Sequence, residues 1–336
     1  MKRHSLWALT VLLLCGAVSA PAQKVQLTQL GSSIANFLKI GVGARAVAMG
    51  EAFTALSDDA STMYWNPGGL GNLRENQAMF DVSNWLLDTR LYSLSSSVNL
   101  GEFGVVGASV NFLSSGDIPE TTLEEPDGTG RMFAASDLAI SLTYSRRITD
   151  NFTAGITVKY VSEQLDRSSA STVALDVGSV FVTDFLNNMR IGFSLSNLGG
   201  QMRFDGTDLA IQYLPQPGFK YVPAQLSTES WDIPLLFRFG VATDVWKSSG
   251  FRVTVASDVM DSRDYTYRVN LGGEVGYEEM VFLRGGYKIN TDEAKMSLGF
   301  GVRLPEVQNI GLSFDYAYIN FGILESVHRI SITVKY

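Results

Sequence analysis

From Asn76 to Tyr336 the chain repeats one pattern, in which apolar side chains alternate with polar or small ones. In NFTAGITVKY, Phe152, Ala154, Ile156, Val158 and Tyr160 alternate with Thr153, Gly155, Thr157 and Lys159. In YTYRVNLGGEVGY, Tyr267, Val269, Leu271, Val275 and Tyr277 oppose Arg268, Asn270, Gly272 and Glu274. A period of two marks β-strands, whose successive side chains point to opposite faces. Fourteen such segments can be counted, at 76–85, 90–100, 103–113, 135–147, 151–163, 170–184, 188–198, 234–247, 251–260, 265–277, 280–289, 295–303, 308–318 and 326–336. The number is even, and each segment is near the roughly 9–11 residues that a tilted strand needs to cross a membrane.

A water-soluble sandwich hides its apolar faces against each other, whereas a membrane barrel turns them to lipid and keeps the polar face inside. Here one face is almost wholly apolar and aromatic, and the other carries glycines and charges such as Arg238, Arg284 and Lys288. The connections also alternate in length. Tight turns at Gly101-Glu102, Thr149-Asp150, Ser248-Ser249 and Glu278-Glu279 are interleaved with longer joins at 114–134, 164–169, 199–233, 261–264, 290–294 and 319–325. Short periplasmic turns and longer outer loops are characteristic of outer-membrane barrels. The final segment, HRISITVKY, places Ile330, Ile332, Val334 and Tyr336 on one face. The expected fold is an all-β membrane protein, a 14-stranded antiparallel transmembrane barrel over 76–336.

The start of the chain agrees with export. Lys2 and Arg3 precede an apolar run from Leu6 to Val18, and Ala20-Pro21-Ala22 offers an A-x-A cleavage site, so residues 1–22 read as a signal peptide. The apolar run is too short to span a bilayer of about 30 Å. The only cysteine, Cys15, lies within it and follows Leu13 and Leu14 rather than the small residues of a lipidation site. Without the leader there is no thiol or disulfide chemistry. Basic residues then number 24 against 34 acidic, a net charge of −10, which suits an exported protein and not a nucleic-acid binder. No later run of 18 apolar residues occurs, so a helical membrane protein is excluded.

Residues 23–75 lack strand alternation. GARAVAMGEAFTALSDDA reads as a helix rich in small residues, with Ala46, Met49, Phe53 and Leu56 forming a stripe near helical spacing. Ser57, Asp58 or Asp59 is placed to cap a second short helix at 60–65. Pro67 disfavours helix at Asn66, and Gly68-Gly69 permits a sharp turn.

The stretch KIGVGARAVAMGEAFTALSDDASTMYWNPGGLGNL, Lys39 to Leu73, resembles the N-terminal signature of the PorV/PorQ family of outer-membrane proteins. More broadly it is similar to the hatch of FadL-type transporters, where a small-residue helix, an Asp-Asp-Ala stretch and an Asn-Pro-Ala turn recur. The resemblance implies a fourteen-stranded barrel with an N-terminal helical plug, here residues 23–75. It makes Asp58, Asp59, Asn66, Pro67 and Gly68 a structural plug motif. Gly68 stands where the broader family usually has alanine, which is expected to loosen the turn slightly. The implied role is in type IX secretion, handling secreted proteins that carry C-terminal sorting domains. The alternative is a FadL-like channel for uptake of hydrophobic small molecules.

No catalytic constellation is present, and no enzyme is expected. His328 is the only histidine outside the leader, and it shares the apolar face of Ile330 and Ile332. Asp58 and Asp59 lack further spaced oxygen ligands for Ca²⁺, and GVGARAVAMG has no βαβ unit around it, so no metal or cofactor is expected. Arg238, Arg252, Asp258, Arg268, Glu274 and Arg284 fall on the polar face. They serve either as a mutually paired lining that fixes the plug or as a conductance or ligand-orienting lining. Aromatics near strand ends, among them Trp85, Tyr144, Tyr160, Trp246 and Tyr277, suit interfacial girdles. The 199–233 loop gathers Tyr213, Phe219, Tyr221 and Trp231, an outward apolar surface for a protein partner or a greasy ligand. The expected partners are outer-membrane lipid together with secretion-system components and cargo, or a hydrophobic ligand.

Overall fold

The computed structural model describes residues 31–215, 220–262, 265–292 and 294–336. The proposed signal peptide, the first residues of the 23–75 segment and Phe219 lie outside the described residues. Fourteen long strands follow one another: β1 Gln77–Asn84, β2 Arg90–Asn99, β3 Val105–Pro119, β4 Met132–Thr149, β5 Phe152–Leu165, β6 Ser168–Val182 and β7 Arg190–Gly199. The second half comprises β8 Leu236–Lys247, β9 Phe251–Ser262, β10 Tyr265–Tyr277, β11 Val281–Ile289, β12 Met296–Arg303, β13 Gly311–Asn320 and β14 Ser326–Lys335. Each pairs antiparallel with the next, and β14 returns to β1 with Gln77 opposite Lys335 and Asn84 opposite His328. The sheet is therefore a closed barrel without a free edge.

Burial is inverted relative to a soluble protein. On β4, Leu142 is 65% exposed while its neighbours Ser141 and Thr143 are 2% and 3% exposed. On β2, Leu94 is 55% exposed and Ser93 and Ser95 are buried. The apolar face thus points outward around the whole ring, as lipid demands, and the polar face points in. No helix among the described residues is long and apolar enough to cross a membrane.

Two joins differ most from the expected lengths. Strands β3 and β4 run on as a ribbon, so the join expected at 114–134 contracts to 120–131. A bulge between Ser114 and Asp117, with Gly116 at φ +68°, carries the ribbon past a stretch in which alternation is interrupted. The β5–β6 join contracts to Asp166-Arg167, where Asp166 adopts the left-handed conformation common in tight turns. The long insertion between β7 and β8 contains a two-residue ladder, Gln201–Met202 with Trp231–Asp232, and a hairpin of Ala210–Tyr213 with Val222–Gln225.

The N-terminal segment is less helical than its spacing suggests. One short helix, α1, covers Ala44–Ala48, and a second, α2, covers Thr62–Trp65. The first ends because Gly50 and Glu51 both take positive φ, which breaks the i to i−4 ladder. Ala46, Met49, Phe53 and Leu56 nevertheless pack into one buried cluster, held by the fold of a loop rather than a helical stripe. Asn66 is extended at φ −160°, as the residue before proline prefers, and Pro67–Asn72 form a 3₁₀ turn.

This segment contacts the inward face of the ring. Phe37 and Leu38 pack with Ala139, Val161, Ala170, Met202 and Ile233 towards the outer end. Gly71 donates its N–H to Ser145 near the periplasmic turn that follows β4. Glycines on the strands make room: a Cβ on Gly286 would lie 1.9 Å from the Gly50 nitrogen, and one on Gly155 would lie 2.4 Å from the Pro67 oxygen.

Closure predicts a distinctive stability. Unboiled samples in detergent should migrate differently from boiled ones on a gel. Deleting 326–336 should abolish that shift, because β1 and β13 would then face lipid with unpaired backbone groups. A truncated chain that kept the shift would refute closure by β14.

Candidate functional site

Small residues let the 41–72 loop approach the wall, and three groups of polar contacts hold it there. Arg45 extends from α1 and donates Nε to Glu274 Oε2 at 3.0 Å and Nη1 to Asp58 Oδ1 at 2.5 Å, with Asp59 Oδ2 at 3.4 Å. Glu274 also accepts from Arg284 Nε at 2.7 Å and faces Arg252 Nη2 at 3.1 Å. Arg284 continues to Asp315 at 2.7 Å. Three guanidinium groups thus converge on one buried carboxylate. Arg45, Asp58, Asp59, Arg284 and Asp315 line a cavity of about 150 Å³ near the periplasmic end, together with Phe282.

The second group surrounds Glu51, whose carboxylate accepts from Lys288 Nζ at 2.7 Å and Arg268 Nη2 at 2.6 Å. Burial alone would raise the Glu51 carboxyl, but Lys288 and Arg268 outweigh it and hold the group at about 2, below the ordinary 4.5. At the motif, burial likewise acts upward. Arg45 draws Asp58 below the usual range, whereas Asp59 stays above it, raised by burial against the opposing pull of Arg45. Asp59 also accepts from the N–H and hydroxyl of Ser61, so it fixes the turn into α2 as well as facing Arg45.

The third group involves backbone. Asp258 on β9 accepts the N–H groups of Phe53 and Thr54 at 3.0 and 2.8 Å. Asn66 donates to the carbonyls of Thr54 and Ser179 at 2.8 and 3.0 Å and accepts from the Gly68 N–H at 3.0 Å, which joins the turn to β6. Arg329 on β14 contacts the Gly41 carbonyl and Asp81 on β1, and the Ser331 hydroxyl accepts the Ala44 N–H at 2.7 Å. Arg238 stacks over Tyr64 and Trp65 at 5.3 and 5.4 Å.

All six charged residues singled out on the polar face point inward. Arg238, Asp258, Arg268 and Glu274 touch the N-terminal segment directly, and Arg284 and Arg252 reach it through Glu274. Gly68 departs from its expected effect. A Cβ there would lie 2.5 Å from the Ser179 Cα and 2.7 Å from the Gly178 oxygen, so glycine permits close seating against β6 rather than loosening the turn. Trp85 also differs from a girdle residue, being partly buried edge-on against Phe321 at 5.3 Å. Tyr144, Tyr160, Trp246 and Tyr277 are exposed on the outward face.

Arg45, Glu51, Asp81, Asp315 and Arg329 were not singled out from the sequence. The available signal was a charge in a small-residue run for Arg45 and Glu51, and inward register with Ser331 and Thr333 for Arg329. In the outer insertion, Tyr213 and Tyr221 are exposed on and beside the hairpin, while Trp231 belongs to the separate two-residue ladder. Among the described residues no group of three His, Cys, Asp or Glu side chains could hold a metal ion.

Substituting Glu51 tests the second group. Breaking a buried ion pair by removing one partner costs about 3–5 kcal/mol, so Glu51→Gln should destabilise by about 3 kcal/mol near neutral pH, read by urea unfolding in lipid vesicles. The Glu51 contribution is present above the ordinary carboxyl range and is lost as pH falls from about 5 towards 2, because the folded-state value is depressed. The gap between wild type and variant should therefore narrow over that window; a gap constant with pH would show that Glu51 is not ionised in the folded protein.

The fold is similar to that of solved transporters at low sequence identity. The Ralstonia pickettii toluene transporter TbuX superposes with a TM-score of 0.55 at 14% identity, over 88% of this chain and 97% of that one. The Pseudomonas putida toluene transporter TodX gives 0.54 at 13%, over 88% and 97%, and a Pseudomonas aeruginosa FadL homologue gives 0.51 at 13%, over 87% and 96%. At such identities the likeness is one of fold. No curated protein matches the sequence. Residues 23–216 match the family model described as type IX secretion system protein PorV. That match spans more than half of the chain, and the protein is accordingly an outer-membrane β-barrel belonging to the PorV family.

Proposed function

We propose that this protein acts in type IX secretion at the outer membrane, handling secreted proteins with C-terminal sorting domains. In this reading residues 1–22 are a cleaved signal peptide, 23–75 are a plug, and the outer loops are the docking surface. Family membership is the observation that carries the proposal. The character of the interior supports it over hydrocarbon uptake. A path for an apolar solute needs an apolar lining. Here serines, threonines and ion pairs dominate the inward face, and Arg45, Glu51, Asp258 and Arg329 tie the N-terminal segment to the wall.

The plug has its own test. Cysteines introduced at Ala48 and Thr62, both buried, should resist membrane-impermeant thiol reagents in intact cells, whereas one at Thr207 in the outer insertion should react. Equal labelling of all three would refute the plug.

The docking surface is tested by deletion. Tyr213 and Tyr221 are 52% and 64% exposed, and isolated two-stranded hairpins are marginal in water, so this ribbon suits contact with a partner. Removing residues 212–231 should leave a heat-modifiable barrel while secreted proteins with C-terminal sorting domains accumulate in the periplasm. Normal secretion combined with slower growth on a hydrophobic carbon source would replace this reading with the uptake channel.

A further inference from the structure

At the periplasmic end, the exit of the N-terminal segment meets the β2–β3 and β4–β5 turns around a pocket of about 500 Å³. Five charged side chains line it: Arg74, Arg146 and Arg147, with Glu102 and Asp150. Elsewhere at this end arginines are paired, as Arg45, Arg252 and Arg284 are with Glu274. Among the described residues these five form no ion pair with each other or with any other group. Three guanidinium groups and two carboxylates left uncompensated around one space suit a ligand that carries both signs.

The surroundings specify what else that ligand carries. Arg146 follows Ile140, Leu142 and Tyr144 on the outward, lipid-facing side of β4. Immediately above it an apolar row crosses four strands in register: Val98 opposite Val106, Val106 opposite Tyr144, and Tyr144 opposite Ile156. All four are more than a third exposed. The tyrosine hydroxyl donates to the Phe103 carbonyl at 2.8 Å, which fixes the ring at the rim. Ile148 and Phe103, 60% and 77% exposed, extend the apolar surface beside the pocket. Charges at the rim with an aromatic and an apolar wall above them reproduce the profile of one lipid leaflet.

We propose that this pocket binds the headgroup of one zwitterionic phospholipid of the inner leaflet. Its phosphate is held by Arg146, Arg147 and Arg74, its ammonium lies against Glu102 and Asp150, and its acyl chains lie on the Val98–Ile156 row. Arginine matches phosphate through paired N–H donors, which favours it over a free carboxylate. The carboxylates select against purely anionic lipids by like-charge repulsion.

The test is native mass spectrometry of the full-length barrel, delipidated in detergent and offered an equimolar mixture of phosphatidylethanolamine and phosphatidylglycerol. Wild type should retain one phosphatidylethanolamine in preference. Arg146→Ala/Arg147→Ala, checked for folding by its gel shift, should weaken retention roughly thirtyfold, for two lost guanidinium contacts. Glu102→Gln/Asp150→Asn should still bind lipid but exchange the preference towards phosphatidylglycerol. Retention in the arginine variant equal to wild type would overturn the proposal. So would binding of inorganic phosphate without lipid enrichment, which would leave a simple anion site.

Discussion

No water is available in hydrocarbon to satisfy a backbone N–H or C=O, so a sheet within it must pair its last strand with its first. The β1–β14 ladder meets that requirement, and much of the architecture depends on it. An even number of strands returns the chain to the side from which β1 started. Residues 67–73, Gln77 and Lys335 accordingly cluster near the same end. The residues before β1 then have an enclosed, polar face beside them, and 35–73 are packed against it.

Packing the N-terminal segment against that face imposes opposite demands from those of a soluble core. The wall is lined by serine, threonine and glycine, which are small enough for backbone to approach backbone, as at Gly286 against Gly50. Burying charge is costly unless every charge is paired, and such pairs often gain little over apolar packing. Here Arg45 and Glu51 link the N-terminal segment to particular strands. Glu274 receives Arg45, Arg252 and Arg284 together, which brings α1 alongside β9, β10 and β11. Asp258 specifies the seating further by accepting two consecutive backbone N–H groups.

The barrel was largely legible in the sequence because a period of two over a dozen strands is hard to produce otherwise. Strand ends were less legible where tertiary geometry extends a ladder beyond its alternating core, as in the β3–β4 ribbon past the Gly116 bulge. The N-terminal segment misled in a specific way. Ala46, Met49, Phe53 and Leu56 have helical spacing, yet Gly50 and Glu51 reverse the backbone between them. Sequence spacing identified the residues that cluster but not the path that brings them together. The charged face of the strands was visible as alternation. Its partners, Arg45 and Glu51, were not, because a lone charge among small residues does not reveal what it faces.

Two ends of the N-terminal segment are held by different physics. Near the periplasm, ion pairs around Arg45 border a polar cavity, where water can compete for the charges. Towards the outer end, Phe37 and Leu38 lie in a buried apolar cluster, which cannot open without exposing apolar area. Two members of that cluster, Met202 and Ile233, stand at the base of the insertion between β7 and β8. The same region is joined to the segment by backbone, since Ile34 donates its N–H to the Asp232 carbonyl at 3.0 Å. The outer insertion and the N-terminal segment therefore share one continuous set of packed contacts. Movement of the hairpin at Tyr213 and Tyr221 would pull on the ladder below it, and through Met202 and Asp232 on the N-terminal segment.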